Sequence, residues 1–188
     1  MKLRYNAPTV LTFAFICTAI LVLSEMTSRS LTLNWFMVPG RENFSPGNIR
    51  CWVTLLTHVI GHDSWLHLVS NFSFILLIGP ILEELYGSIS LFIMICITAF
   101  VTGVLNVILF SSGLMGASGV VFMMILLASF TNFSKGEIPL TFILVLILYL
   151  GRELLQVFGN NPGNISQFAH IVGGFIGSLF GFFRVNRR

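Results

Sequence analysis

Charged residues are scarce in this chain: Asp, Glu, Lys and Arg make up 9% of its 188 residues, where a soluble domain carries about a quarter. The scarcity excludes water as the main solvent. The basic residues, 10 against 7 acidic ones, form no stripe with interleaved stacking aromatics, which excludes nucleic acid as a partner. Cysteine is equally sparse. Cys17 and Cys96 stand in apolar runs and Cys51 in a loop, a scatter that indicates neither a disulfide framework nor a C-x-x-C metal site. The chain also lacks H-E-x-x-H, and its paired His58 and His62 have no carboxylate partner in an apolar run, so no metal is expected. No small-residue cleavage site follows the first apolar run, which therefore reads as a span and not as a signal peptide. There is no internal repeat and no sign of a second domain.

What remains is hydrophobic. Apolar residues reach 55% and the mean hydropathy is +0.91, gathered into runs at 7–24, 66–82, 89–110, 117–133, 138–158 and 168–183. A helix needs roughly 20 apolar residues to cross hydrocarbon. The expected fold is therefore an all-α polytopic membrane protein, one domain over residues 1–188 built as a six-transmembrane-helix bundle. An even number of spans puts both termini on one side. Lys2, Arg4, Arg184, Arg187 and Arg188 at the ends, with Lys135 between the fourth and fifth runs, assign that side to the cytoplasm. The long connection 25–65 then lies outside and holds Trp35, Trp52 and Trp65, the residue type that prefers the headgroup layer, so it is expected to rest partly in the outer leaflet. Membrane lipid is an expected partner. Arg152 and Glu153 read as a snorkelling pair, and Glu83 and Glu84 as caps on the inner end of the second span.

Polar side chains inside spans are costly, so each is a functional hypothesis. Four stand out: His67, Asn71, Ser118 and His170. Counting a helical rise of roughly 1.5 Å per residue from the inner charges puts His67 roughly 24 Å and Asn71 roughly 18 Å from Glu83, Ser118 roughly 25 Å from Lys135, and His170 roughly 21 Å from Arg184. All four fall in one band below the outer surface. Ser118 sits in Gly116-Ala117-Ser118-Gly119, and His170 is followed by Gly173, Gly174 and Gly177 on its own helix face, with Gly181 extending the small-xxx-small spacing. A sixth span packed on the fourth through that face would bring His170 toward Ser118. A serine hydroxyl needs a base to take its proton, and imidazole serves near neutral pH. No acid lies in the sixth run, so a dyad is expected and not a triad. His67 and Asn71, four apart on one face, have donors for an oxyanion beside the Ser118 backbone N–H, and His58 and His62 are expected at the rim of the polar cavity that admits water.

Taken together, His62 with His67-x-x-x-Asn71, Glu83-x-x-x-Gly87, Gly116-x-Ser118-Gly119 and Ala169-His170-x-x-Gly173-x-x-x-Gly177 resemble the rhomboid family of intramembrane serine proteases, from the first loop to the sixth run. The resemblance implies a six-helix bundle whose short fourth helix starts inside the membrane with the nucleophile Ser118 at its tip. It implies His170 as general base, and His67 and Asn71 as lining of the oxyanion site. Gly116, Gly119, Phe122, Gly173 and Gly177 are supporting residues. It further implies transmembrane protein substrates cut near the outer face, no cofactor, and a bacterial inner membrane as the setting. Two departures stand out. Phe122 occupies the place where many members have a tyrosine stacked on the histidine, and the usual Trp-Arg pair of the first loop is absent in that order, with Arg50-Cys51-Trp52 nearby.

Two other functions fit the same spans: a catalytically silent relative that binds transmembrane clients, and a small transporter with a midplane polar site. Intact Ser118 and His170 weigh against the first. The lack of repeat symmetry weighs against the second. A Gly-Asn-Asn-Pro-Gly stretch at 159–163, with the adjoining fifth run, is the expected gate for lateral substrate passage. Substrate identity and oligomeric state are not encoded in any of these features.

Overall fold

The computed structural model describes residues 5–130, 140–145, 147–148 and 165–185. Helix α1, Pro8–Met26, starts on a proline, whose missing N–H costs nothing in a first turn. Its next two amides are capped from another helix: the buried Glu83 carboxylate accepts from the N–H of Thr9 at 2.8 Å and of Val10 at 3.0 Å. This corrects the expectation that Glu83 caps the end of its own helix. The reason is the tight turn that follows, where Gly87 at φ 84 closes α4, Trp65–Tyr86, and opens α5, Ser88–Leu109, with no loop between them. That turn brings the end of α4 and the start of α5 under the first turn of α1, and the Thr9 hydroxyl donates to the Ser88 carbonyl.

The expected outer loop is largely structured. It contains α2, Ser30–Trp35, a single 3-10 turn at Arg41–Asn43, and α3, Ile49–Thr57. Cys51, expected in a loop, is a buried residue of α3. Helix α6, Ser118–Ser129, is shorter than the 117–133 run because Gly116 sets its start and Phe130 its C-cap. Every residue from Gly119 to Leu127 is buried, so α6 is the hub of the bundle. It packs on α4, on α5, on α7, Leu140–Val145, and most extensively on α8, Ile165–Val185.

Helices α1, α4 and α5 are long and apolar enough to cross a membrane, and they leave many large apolar side chains exposed, such as Phe15, Leu77 and Ile89. An apolar surface of that kind is stable against hydrocarbon and not against water. The runs at 117–133 and 168–183 correspond to shorter apolar helices. Of the 138–158 run, α7 and residues 147–148 are described; Lys135, Arg152, Glu153 and the 159–163 stretch lie outside the described residues.

Candidate active site

The tip of α6 is built by glycine. Gly116 adopts φ +118, which L side chains rarely adopt, and a Cβ there would lie 2.6 Å from both Cε1 and Nε2 of His67. Its N–H donates to the His58 carbonyl at 2.9 Å. The segment before it is pinned by the connection between α1 and α4: Val38 and Leu114 exchange two backbone hydrogen bonds, 2.9 and 3.0 Å, and the Arg41 N–H donates to the Phe110 carbonyl at 2.7 Å. Ala117, the N-cap, offers no side-chain oxygen to the first turn. The backbone N–H groups of Ser118, Gly119 and Val120 therefore have no acceptor within the helix, and they sit at its positive end. Ser118 itself is half-buried.

Helix α8 meets α6 along its glycines. A Cβ on Gly173 would stand 2.0 Å from the Gly119 carbonyl oxygen, and one on Gly177 would stand 2.2 Å from that of Met123. The two backbones are thus in direct contact, and the glycine face places the half-buried His170 over α6. Its ring stacks on Phe122 with centroids 4.2 Å apart and planes 7° from parallel. Phe122 follows Ser118 by one helical turn on the same face, a rise of about 6 Å.

The start of α4 forms the third side. Ser64 is its N-cap, accepting from the His67 N–H at 3.2 Å. The His67 ring bonds through Nδ1 to the Asp63 carboxylate at 2.9 Å, while the Ser64 hydroxyl donates to the same oxygen at 2.9 Å. One turn on, the buried Asn71 amide donates to Nε2 of His62 at 3.1 Å, and Nδ1 of His62 donates to the Ile60 carbonyl at 3.1 Å. This chain of bonds fixes both the His62 tautomer and the orientation of the amide. His62 cannot be the rim residue expected of it: it is 2% exposed. His58 is buried to the same degree, and its Nε2 bonds to the Ala99 carbonyl of α5 at 3.0 Å. Both are internal struts because the segment after α3 dips between α1 and α5, where the Cys17 thiol of α1 meets the Val59 carbonyl and His58 meets α5.

Burial pushes the His62 imidazole down from 6.5 to about 4, assisted by neighbouring His67 and only partly offset by its bonds to Ile60 and its proximity to Asp63. Partial burial raises Asp63, but hydrogen bonds from Ser64 and His67 outweigh it and hold the carboxyl below its usual range. Asp63 escaped sequence reasoning. Its signal was present in the Asp-Ser-x-x-His order, an N-cap serine preceded by an acid four residues before a histidine. Among the described residues no group of three or more His, Cys, Asp or Glu is placed to hold a metal ion.

A family model, the Rhomboid domain, matches residues 50–187, which include Asn71, Ser118 and His170 and exclude α1 and α2. The chain belongs to the rhomboid family. Among known proteins it is similar to the Rhomboid protease GlpG of Haemophilus influenzae, with 26% identity over 131 residues that cover 68% of this chain and 67% of that protein. Rhomboid membership, a mostly helical structure and three membrane-length helices make the chain an integral membrane protein. At the level of the family, intramembrane proteolysis is the activity that goes with this fold. The stretch that the family model matches holds the tip of α6 and the glycine face of α8, the two parts of the bundle that meet at the candidate site.

Proposed function

We propose that this rhomboid is an intramembrane serine endopeptidase that cuts transmembrane-helix substrates near the outer face of a bacterial inner membrane. Both termini are cytoplasmic in this reading, six helices span the bilayer, and the site opens outward. The observation that supports it most is the His170 ring stacked on Phe122, one turn from Ser118. As the Ser118 oxygen adds to the substrate carbonyl carbon, its proton passes to His170 and the carbonyl electrons move onto oxygen. That oxyanion faces the open N–H groups of the α6 first turn, with Asn71 and His67 beside them. Collapse breaks the C–N bond, and His170 gives its proton to the leaving amine. Water then adds to the acyl ester, loses a proton to His170, and a second collapse frees the carboxylic acid and restores Ser118.

No acid stands in α8 to orient His170; the flat contact with Phe122 takes that task, and no cofactor is needed. Cleavage of a transmembrane reporter in proteoliposomes tests the reading. Ser118→Ala and His170→Ala should each abolish cleavage, and parental rates in either would refute the assignment. Labelling of Ser118 by a serine-directed phosphonate separates an enzyme from a silent client-binding relative, because only an activated hydroxyl reacts.

A further inference from the structure

A groove of about 400 Å³ runs between α1 and α5, and no residue assigned to the candidate site lines it. Its walls are drawn from Pro8 to Ile16 of α1 and from Phe92 to Ala99 of α5, and its roof includes Val59 and Ile60, just after α3. Both ends are closed. At the foot the Thr9 hydroxyl donates to the Ser88 carbonyl at 3.0 Å, and at the head the Cys17 thiol reaches the Val59 carbonyl at 3.9 Å. The side is open, since Ile16 and Phe92 on its lips are 43% and 58% exposed. The lining is apolar in effect: of its hydroxyls, that of Thr9 is bonded to Ser88 and that of Thr12 to the Tyr5 hydroxyl at 2.9 Å. Water would find no free hydroxyl there.

Depth and width decide the occupant. Pro8 opens α1, so the groove begins at one face of the bilayer, and the helical rise to Ile16 takes it roughly 12 Å inward. Half of a hydrocarbon core of about 30 Å is about 15 Å, so the groove is nearly as deep as one leaflet. A transmembrane helix is too wide for it, because 12 Å of a cylinder about 10–12 Å across fills roughly 1,000 Å³. An acyl chain is thin, reaches that depth and needs no hydrogen bond. We propose that the groove holds one acyl chain of a phospholipid from the leaflet at which α1 begins, with the chain end against Val59 and Ile60. The proposal needs only a membrane-embedded protein and not the protease reading. A lipid chain gains nothing by leaving other lipid chains, so it is held by the packing contacts it restores in a crevice that would otherwise be void. It also props the roof. His58, next to Val59, bonds to the Ala99 carbonyl of the wall and through its own carbonyl accepts the Gly116 N–H, so the chain supports the segment that anchors the tip of α6.

Photolabelling of the full chain tests this, in phosphatidylcholine vesicles containing a fraction of phosphatidylcholine with a diazirine midway along one chain. Adducts mapped by mass spectrometry should fall on the groove walls about fivefold more often than on the exposed face of α4 at Leu77 and Ile81, which meets ordinary lipid. Two substitutions fill the groove from opposite walls, Cys96→Phe on α5 and Ile16→Trp on α1, so that one still serves if the other fails to fold. Each should bring labelling of the groove down to the level of the α4 face. Stripping lipid with detergent should lower the thermal midpoint of the parent by about 5 °C and that of a filled variant by less than half as much. Even labelling over all exposed apolar faces would show ordinary surrounding lipid and overturn the proposal. Undiminished groove labelling in a folded filled variant would overturn it as well, as would links from the groove to a second copy of the chain in place of lipid adducts.

Discussion

At the scale of single residues, three polar side chains of the candidate site each meet a named neighbour: His67 bonds to Asp63, Asn71 to His62, and His170 stacks on Phe122. Asn71 is the clearest case, because one amide hydrogen is held by His62 and the other remains free to turn toward the oxyanion. Replacing Asn71 by alanine should lower kcat about a hundredfold or more with little change in KM, the pattern of a contact formed mainly in the transition state; steady-state kinetics on the reporter would read it. His62 makes a second prediction through its titration. Its folded value lies near 4 against 6.5 unfolded, so between those values the unfolded chain binds a proton that the folded chain refuses, and stability must fall as pH drops through that window. Thermal midpoints measured from about pH 7.5 to 4.5 should decline, and His62→Gln should flatten the slope. Ser118, His170 and Asn71 stand out in the sequence as candidates because a polar group in an apolar run is an anomaly that the membrane makes costly. The bond of His62 to Asn71 was not legible there, since His62 lies in a polar loop where such a residue is ordinary and only the approach of α4 gives it a task; the bond of Asp63 to His67 is local, four positions apart, and its signal lay in the Asp-Ser-x-x-His order.

At the scale of helices, close approach governs. The spacing of Gly173, Gly177 and Gly181 announced a contact face, and that face is in backbone contact with α6. Gly173→Ala should separate the two helices, destabilise the protein by about 1–3 kcal/mol, and reduce cleavage further than stability alone explains, because His170 rides on the displaced helix. Comparing thermal midpoint and kcat in the same preparation would show the two effects. Glu83→Ala should cost about 1–2 kcal/mol by uncapping α1, while leaving kcat of the folded fraction near the parental value. That cap was beyond the sequence: hydropathy marks where helices lie, but which helix end meets a given carboxylate depends on the Gly87 turn. The brevity of α6 was hidden for a similar reason, since its apolar run continues past the residue at which the helix stops.

At the scale of the whole molecule, the connection between α1 and α4 behaves as part of the scaffold. Trp52 donates through its indole N–H to the Pro46 carbonyl at 2.9 Å, and the Arg50 guanidinium lies 4.9 Å from the Trp35 ring centroid. Trp35, Trp52 and Trp65 remain between 38% and 49% exposed, as residues in a headgroup layer would be. Lipids brominated near the headgroup should therefore quench tryptophan fluorescence more than lipids brominated at the chain end; the reverse order would place this segment elsewhere. The contact between α6 and α8 has one more consequence, in the time during which the chain is made. Ser118 precedes His170 by 52 positions, and synthesis at about 5–20 residues per second separates them by roughly 3–10 s. Throughout that interval the nascent serine lacks His170, its proposed base, so a newly inserting chain would be inert toward its membrane neighbours until α8 has docked.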